Sequence, residues 1–385
     1  MEQTNLWDKV ASSNDNREKL WTKSRTFAGD VWFRFRHKPT SLLGLLLIAL
    51  LLVFALLGPM FLEHDYSQQN LDYVNMGPTI QVTHAAGSSF YITSNMRLIE
   101  VAEDGTLLSP VPRLQDDFNS RTQTFDYNGT TLTMNYGLTP PALVDENGDP
   151  LTDVETIRNK EYPLGTDGLG RDMLARLMYG ARISLLVAFI AAAVNMVIGI
   201  LYGGIAGLCG GMVDGVMMRI VDIINTIPLT LYVILISVVL GSNSGLVSIV
   251  IALSSVYWVD MARVVRGQVL TLKSQEFVFA ARTIGTSSKD ILLRHLIPNA
   301  MGPILVTVTM LIPQAIFMEA FLSFIGLGVA PPMASLGTMC NDAIEALRTS
   351  PYQLFEPALV ICVTMFGFNF VGDGLRDALD PKLKK

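Results

Sequence analysis

Charge is scarce in this 385-residue chain: only 16% of the residues are Asp, Glu, Lys or Arg, while half are hydrophobic. A soluble domain carries about 25% charged residues, so the balance points to a multi-spanning membrane protein. Cysteine is nearly absent. Cys209, Cys340 and Cys362 stand far apart in apolar context, which argues against a disulfide framework and offers no metal spacing. Four scattered histidines do not make a metal site by proximity, and His295 reads as structural. There is no P-loop lysine, no His-Glu-x-x-His pair and no Gly-x-Ser-x-Gly turn. The chain has no visible engine of its own, so uphill movement of a solute through it would draw energy from a partner.

What is present is long apolar runs separated by segments of contrasting charge. Residues 1–40 carry eight Lys or Arg against five acids, and the run WFRFRHK at 32–38 interleaves aromatics with cations. Its position just before an apolar stretch favours anchoring at an anionic cytoplasmic leaflet over nucleic-acid binding. No Ala-x-Ala site follows the apolar stretch, so the leader does not read as a cleaved signal peptide. Residues 41–62 form the first span, since about 20 apolar residues cross a hydrocarbon core. Residues 63–178 read as a separate extracytoplasmic domain, with 17 acids against 7 bases. In it, QTFDY-Asn128-Gly129-TTLTM and RLIEV-Glu103-Asp104-Gly105-TLL have the pattern of β-hairpins. The turn explains Asn128-Gly129-Thr130 more cheaply than a glycosylation acceptor does.

Further spans are expected at about 183–207, 219–241, 246–262, 299–325 and 354–374. The fold class is therefore an all-α polytopic membrane protein: six transmembrane helices, with a β-rich extracytoplasmic insert between the first two. Between 263 and 297, six Lys or Arg oppose only Glu276 and Asp290, and Arg376, Lys382, Lys384 and Lys385 end the chain. Both clusters suit a cytoplasmic side, which places both termini inside.

Residues 275–299 are a polar island between two apolar runs. Phe277, Ala280, Ala281 and Ile284 fall at helical spacing and predict one apolar stripe. Gly285 can end that helix in a left-handed conformation, and Ser287 with Asp290 has capping-box spacing for a second. Ala280-Ala281, Gly285 and the later His295-Leu296-Ile297-Pro298 resemble the "EAA" signature of permease subunits in ABC-type importers, in the branch that takes oligopeptides, dipeptides or nickel. The Glu that names the signature is Phe279 here, on the solvent side beside Glu276 and Thr283.

Two more segments extend the resemblance. Before the second span, Gly165, Asp167, Gly170, Arg171, Asp172, Arg176, Gly180 and Arg182 fall on the family's pattern. Gly168 and Gly170 permit a turn there, and Met173, Leu174, Leu177 and Met178 predict an interfacial helix. The spacing of Gly165, Gly168 and Gly170 lacks the strand and the Lys-Ser/Thr ending of a phosphate loop. Residues 319–337 resemble the exit of the family's fifth span, with Leu336 where a Trp is usual.

Polar groups in apolar helices cost about 2.5 to 3.5 kcal/mol per mid-bilayer charge on insertion scales, so each must face protein, water or an interface. Asp222 follows Arg219 by three residues and predicts a one-turn ion pair. Asn225, Asp260, Asn369 and Asp373 lie in or at the edges of spans, and Glu319 lies deeper without a cation in its own span. Glu319 reads equally as a buried hydrogen-bonding group or a wall of the pathway. Pro228 and Pro313 are expected to interrupt the third and fifth spans, which makes these the candidates for lining a pathway. Gly199, Gly203, Gly204 and Gly207 form a face for close helix contact, within the chain or with a second permease.

The resemblance implies an importer permease whose core is residues 179–375, with 263–297 as its coupling region and 376–385 as a cytoplasmic tail. It further implies a second, similar permease, two cytoplasmic ATPase subunits carrying ATP and Mg, and an external solute-binding protein, in a bacterial plasma membrane. It makes Glu276, Phe279, Ala280, Ala281, Gly285 and Thr286 the coupling positions, and it implies no catalytic residue, metal or cofactor on this chain. The expected solutes are short peptides, with nickel chelate or another small solute as the alternative. A stand-alone carrier or channel would need matching half-repeats, of which none is evident. A membrane-anchored sensor would not require six spans.

Overall fold

The computed structural model describes residues 26–240 and 245–379. Residues 1–25 of the basic leader, 241–244 and the terminal lysines lie outside the described residues. Helix α1 (Phe27–His37) starts at Thr26, whose Oγ1 accepts from the Gly29 amide at 3.3 Å. It stops at Lys38, because Pro39 restricts the residue before it to extended backbone and then opens α2 (Pro39–Leu56). At 1.5 Å per residue the 18 residues of α2 span about 27 Å, close to a hydrocarbon core. Leu46, Leu50 and Val53 of α2 face outward, which only an apolar surrounding tolerates.

After α2 the chain forms nine strands: β1 (Thr79–Ala85), β2 (Ser88–Ile92), β3 (Leu98–Val101), β4 (Leu107–Pro110), β5 (Arg113–Asp117), β6 (Thr122–Tyr127), β7 (Thr130–Asn135), β8 (Ala142–Val144) and β9 (Val154–Arg158). They make two antiparallel sheets, ordered β4-β3-β2-β1-β9 and β5-β6-β7-β8. Both expected hairpins are present. Asn128 and Gly129 have φ of 50° and 82° between paired Tyr127 and Thr130, the geometry of a two-residue turn matched to strand twist. Phe90 and Leu98 of the first sheet join Phe125, Met134 and Leu143 of the second in one core. A second core holds Tyr73, Met76, Ile80, Val82 and Ile99.

The rest is helical: α3 (Met173–Cys209), α4 (Gly211–Thr226), α5 (Leu229–Leu240), α6 (Gly245–Val256), α7 (Trp258–Leu272), α8 (Glu276–Thr283), α9 (Ser288–Asp290), α10 (Ile297–Leu322), α11 (Leu336–Asp342) and α12 (Tyr352–Leu379). Among the described residues, five helical stretches are long and apolar enough to cross a membrane, or six if α4 and α5 form one broken span. Two expectations are corrected and one is met. The interfacial helix at 173–178 is not separate, because α3 runs unbroken for 37 residues and buries Met173 and Leu177 in the bundle. As Pro228 led one to expect, the stretch read as the third span is interrupted: α4 and α5 are bent by 81°, with Pro228 following an extended Ile227. Pro313, by contrast, does not interrupt its span: it lies buried inside α10, which continues through it.

Helix α3 is the axis of the bundle, packed along α7 and α10, while α12 packs along α2 and α10. Its glycine face meets the chain's own α7. A Cβ on Gly203 would stand 2.2 Å from the Ala262 carbonyl oxygen, and one on Gly199 would stand 2.4 Å from Met261 Cγ. Close backbone approach replaces the missing hydrophobic drive between helices in lipid.

Candidate functional site

The island folds as a helix, a turn and a second helix. Helix α8 ends in a Schellman turn: Gly285, at φ 84°, donates its amide to the Arg282 carbonyl at 3.0 Å, and Thr286 donates to Ala281 at 3.1 Å. Ser287 then caps the next helix, its Oγ accepting from the Asp290 amide at 3.1 Å. From α9 a π turn at Ile291–Leu296 leads straight into α10, so Ser288–Leu327 is one helical stretch of 40 residues. The turn is therefore continuous with a helix long and apolar enough to cross a membrane.

The expected apolar stripe is divided between two faces. Val278 and Ala281 are buried among Met261, Val265 and Val269 of α7 and Leu292 and Leu296 beyond the turn. Phe277 (39% exposed), Phe279 (54%) and Ile284 (82%) point outward with Ala280. On an eight-residue helix positions 278 and 281 suffice to dock on the bundle, which leaves 277, 280 and 284 on the exposed side. Glu276 is exposed beside them, and the Thr283 hydroxyl donates to the Phe279 carbonyl at 2.9 Å.

Helix α7, which supports the island, is clamped to α4. Arg266 Nε and Nη2 donate to Asp214 Oδ1 and Oδ2 at 2.5 and 2.6 Å, a bidentate pair joining residues 52 apart in sequence. Asp222 pairs with Arg263 of α7 at 3.1 Å rather than with Arg219, and Arg263 also lies 3.7 Å from Asp260. The expected one-turn pair is thus replaced by a bridge between helices. Asp222, Asn225 and Pro228 are exposed on the lone chain, whereas Pro313 and Glu319 are enclosed. Glu319 accepts hydrogen bonds from Ser184 of α3 at 2.6 Å and from Ser323 at 2.8 Å, which is the buried hydrogen-bonding arrangement. Beside the π turn, a cleft of about 740 Å³ opens between α7, α10 and α12, lined by Gln268, Asn299, Thr307 and Arg376.

The segment before α3 forms a sealed junction. Asp167 Oδ1 accepts from the Leu169 and Arg171 amides, each at 2.9 Å, and Oδ2 accepts from Arg171 Nε at 2.7 Å and from Arg176 Nη1. Arg176 Nη2 reaches Asp342 of α11 at 3.0 Å and Arg171 Nη2 reaches it at 3.4 Å. Asp172 caps α3 by accepting from the Leu174 amide at 2.9 Å, while burial pushes its carboxyl above the usual range. Gly170, at φ 68°, lies under the Asn70 carbonyl, where a Cβ would come within 1.7 Å of the oxygen. Gly165 lies in the same way under the Met76 carbonyl, at 2.4 Å from a Cβ. Asp214, Asp342 and Ser184 were not legible as partners in sequence, because each pairs across 52 residues or more.

The family described as binding-protein-dependent transport system inner membrane component matches residues 198–385, and the N-terminal transmembrane domain of oligopeptide transport permease C matches 26–78. The oligopeptide transport system permease protein OppC of Bacillus subtilis is 39% identical over 381 residues, covering 99% of this chain and 98% of that protein. The dipeptide transport system permease protein DppC of the same organism is 46% identical, covering 64% of this chain and 76% of that protein. DppC of Lactococcus lactis is 35% identical, covering 97% and 95%.

Proposed function

The chain belongs to the binding-protein-dependent transport system inner membrane components, in the oligopeptide and dipeptide permease branch, and we propose that it forms half of an ATP-driven import pathway for short peptides. The observation that carries this reading is the island. An apolar surface held on a capped turn, and continuous with a 40-residue membrane helix, suits docking into a groove of a soluble partner. In this reading one of two ATPase subunits binds that surface from the cytoplasm, a second permease completes the pathway and takes the other, and a solute-binding protein delivers peptide from outside, against the β-rich insert. Both termini are then cytoplasmic. ATP and Mg reside on the ATPase subunits and no catalytic group on this chain is involved.

Mechanically, closure of the ATPases pulls α8 and, through the Schellman turn, the long helix that includes α10. Val278 and Ala281 key the same motion into α7, and the Asp214–Arg266 clamp passes it to α4. The spans then rock between inward- and outward-facing arrangements, an equilibrium that ATP biases only by favouring one of them. The exposed Asp222, Asn225 and Pro228 line the pathway side. The polar cleft at Gln268, Asn299 and Arg376 is the inner vestibule, where side-chain amides can hydrogen-bond a peptide backbone.

Tagged chain purified from its native membrane should bring down a second permease and two ATPases. In proteoliposomes that complex should take up peptides from a tryptic digest only with ATP inside the compartment that the island faces. Uptake by the lone chain without ATP would overturn the reading.

A further inference from the structure

The insert is bolted to the membrane bundle at the first turn of α12. Met76, three residues before β1, buries its side chain in the core of the five-stranded sheet with Ile80 and Val82. Its carbonyl accepts from Tyr352 Oη at 2.6 Å and from the Thr166 amide at 2.9 Å, which fills both lone pairs. Gln353 Nε2 donates to Asn75 Oδ1 at 2.8 Å and to the Thr166 carbonyl at 3.0 Å. The Thr166 hydroxyl accepts from the Met76 amide at 2.9 Å. Thr166 and Gln353 are buried, and Gly165 admits the Tyr352 ring, since a Cβ there would lie 3.0 Å from its Cε2.

Tyr352 and Gln353 open a helix of 28 residues, about 42 Å long at 1.5 Å per residue, that packs along α10, the continuation of the island. The sheet core, Met76, α12 and α10 thus form one series of packed bodies without a flexible linker between the insert and the helix.

We propose that Tyr352 and Gln353 are positioning residues that carry docking at the insert to α12 and onward to the coupling region, so that arrival of a loaded binding protein is felt by the ATPases. This rests on the reading of the insert as the docking side. A hydrogen-bonded latch suits the task because its acceptors are backbone or amide oxygens of Asn75, Met76 and Thr166, with Met76 anchored in the sheet core, and loss of both donors strips the buried Thr166 carbonyl of Tyr352 Oη, 2.9 Å away, and of Gln353 Nε2.

The test uses the full assembly in proteoliposomes, and reads ATP hydrolysis with and without binding protein loaded from a tryptic digest of casein. The double variant Tyr352→Phe/Gln353→Met should keep basal hydrolysis within about twofold while the stimulated-to-basal ratio falls roughly fivefold or more. In a second variant that combines Tyr352→Phe, Asn75→Cys and Gln353→Cys, with the native cysteines replaced, bridging the two thiols with a short bifunctional reagent should restore the ratio. An unchanged ratio in the double variant, or loss of basal and stimulated rates together without rescue by the bridge, overturns the latch. Replacing residues 79–158 by a Gly-Ser linker separates the two readings. If stimulation survives that deletion the docking role of the insert fails; if deletion abolishes stimulation but the double variant retains it, the latch alone fails.

Discussion

Two segments on the same family pattern solve opposite problems. At the junction before α3, the charged side chains pair with one another inside the chain: Asp167 holds two guanidinium groups and two amides, and Asp342 takes Nη2 of both arginines. At the island the backbone is equally well capped, yet Phe277, Phe279 and Ile284 stay in the open. The difference separates a surface that closes the fold from one left open, as the proposed docking role requires. A substitution at the first should therefore cost stability, and one at the second should cost coupling.

The largest effect that would sharpen this contrast is at Asp167 and Gly170. Asp167→Ala leaves two buried guanidinium groups with only the half-exposed Asp342 as a charged partner, a loss of up to about 3 to 5 kcal/mol. Gly170→Ala asks for a Cβ where the Asn70 carbonyl already lies. Both variants should give little folded protein by fluorescence size exclusion in detergent, and normal yields from either would break the comparison.

Next come Phe279→Asp and Ile284→Asp. Exposed positions change stability by no more than about 0.5 kcal/mol, so yield and melting temperature should hold. Peptide uptake per ATP hydrolysed should fall at least roughly tenfold, because a carboxylate on this face cannot fill an apolar groove. Transport-linked ATPase activity equal to that of the unaltered chain would remove Phe279 from the coupling surface.

The smallest effect belongs to the surface of the insert. Lys160 donates to Asp104 at 2.5 Å, and together with Thr106 it holds that carboxyl down to about 2. A lowered carboxyl stabilises the fold in full above its unfolded value of about 3.9, and that support fades as pH falls toward 2. Lys160→Met should thus leave the melting temperature near neutral pH almost unchanged, as expected of an exposed pair. A large drop at pH 7 would show that this surface is sealed in the way the junction is.

Local features were legible in the sequence and distant ones were not. Asn128-Gly129, Gly285 and Ser287 declare their turns and caps because their conformational preferences act within a few residues. Pro228 broke its span as expected, but Pro313 did not, since α10 is fixed by the helices around it. The period of α8 located an apolar stripe without telling which part faced the chain, because Val278 and Ala281 compete with Phe277, Ala280 and Ile284 for that role. Asp222 found Arg263 rather than its near neighbour Arg219, and Tyr352 found Met76 across 276 residues. Such pairings depend on how helices and sheets are assembled in space, which a single sequence does not record.

The most direct test of the central claim is a photoreactive amino acid at position 284 in the assembled complex, irradiated with and without ATP. The account predicts an adduct between this chain and an ATPase subunit, altered in yield by nucleotide. An adduct with the external binding protein, or none with any ATPase while a control at an established contact succeeds, would contradict it.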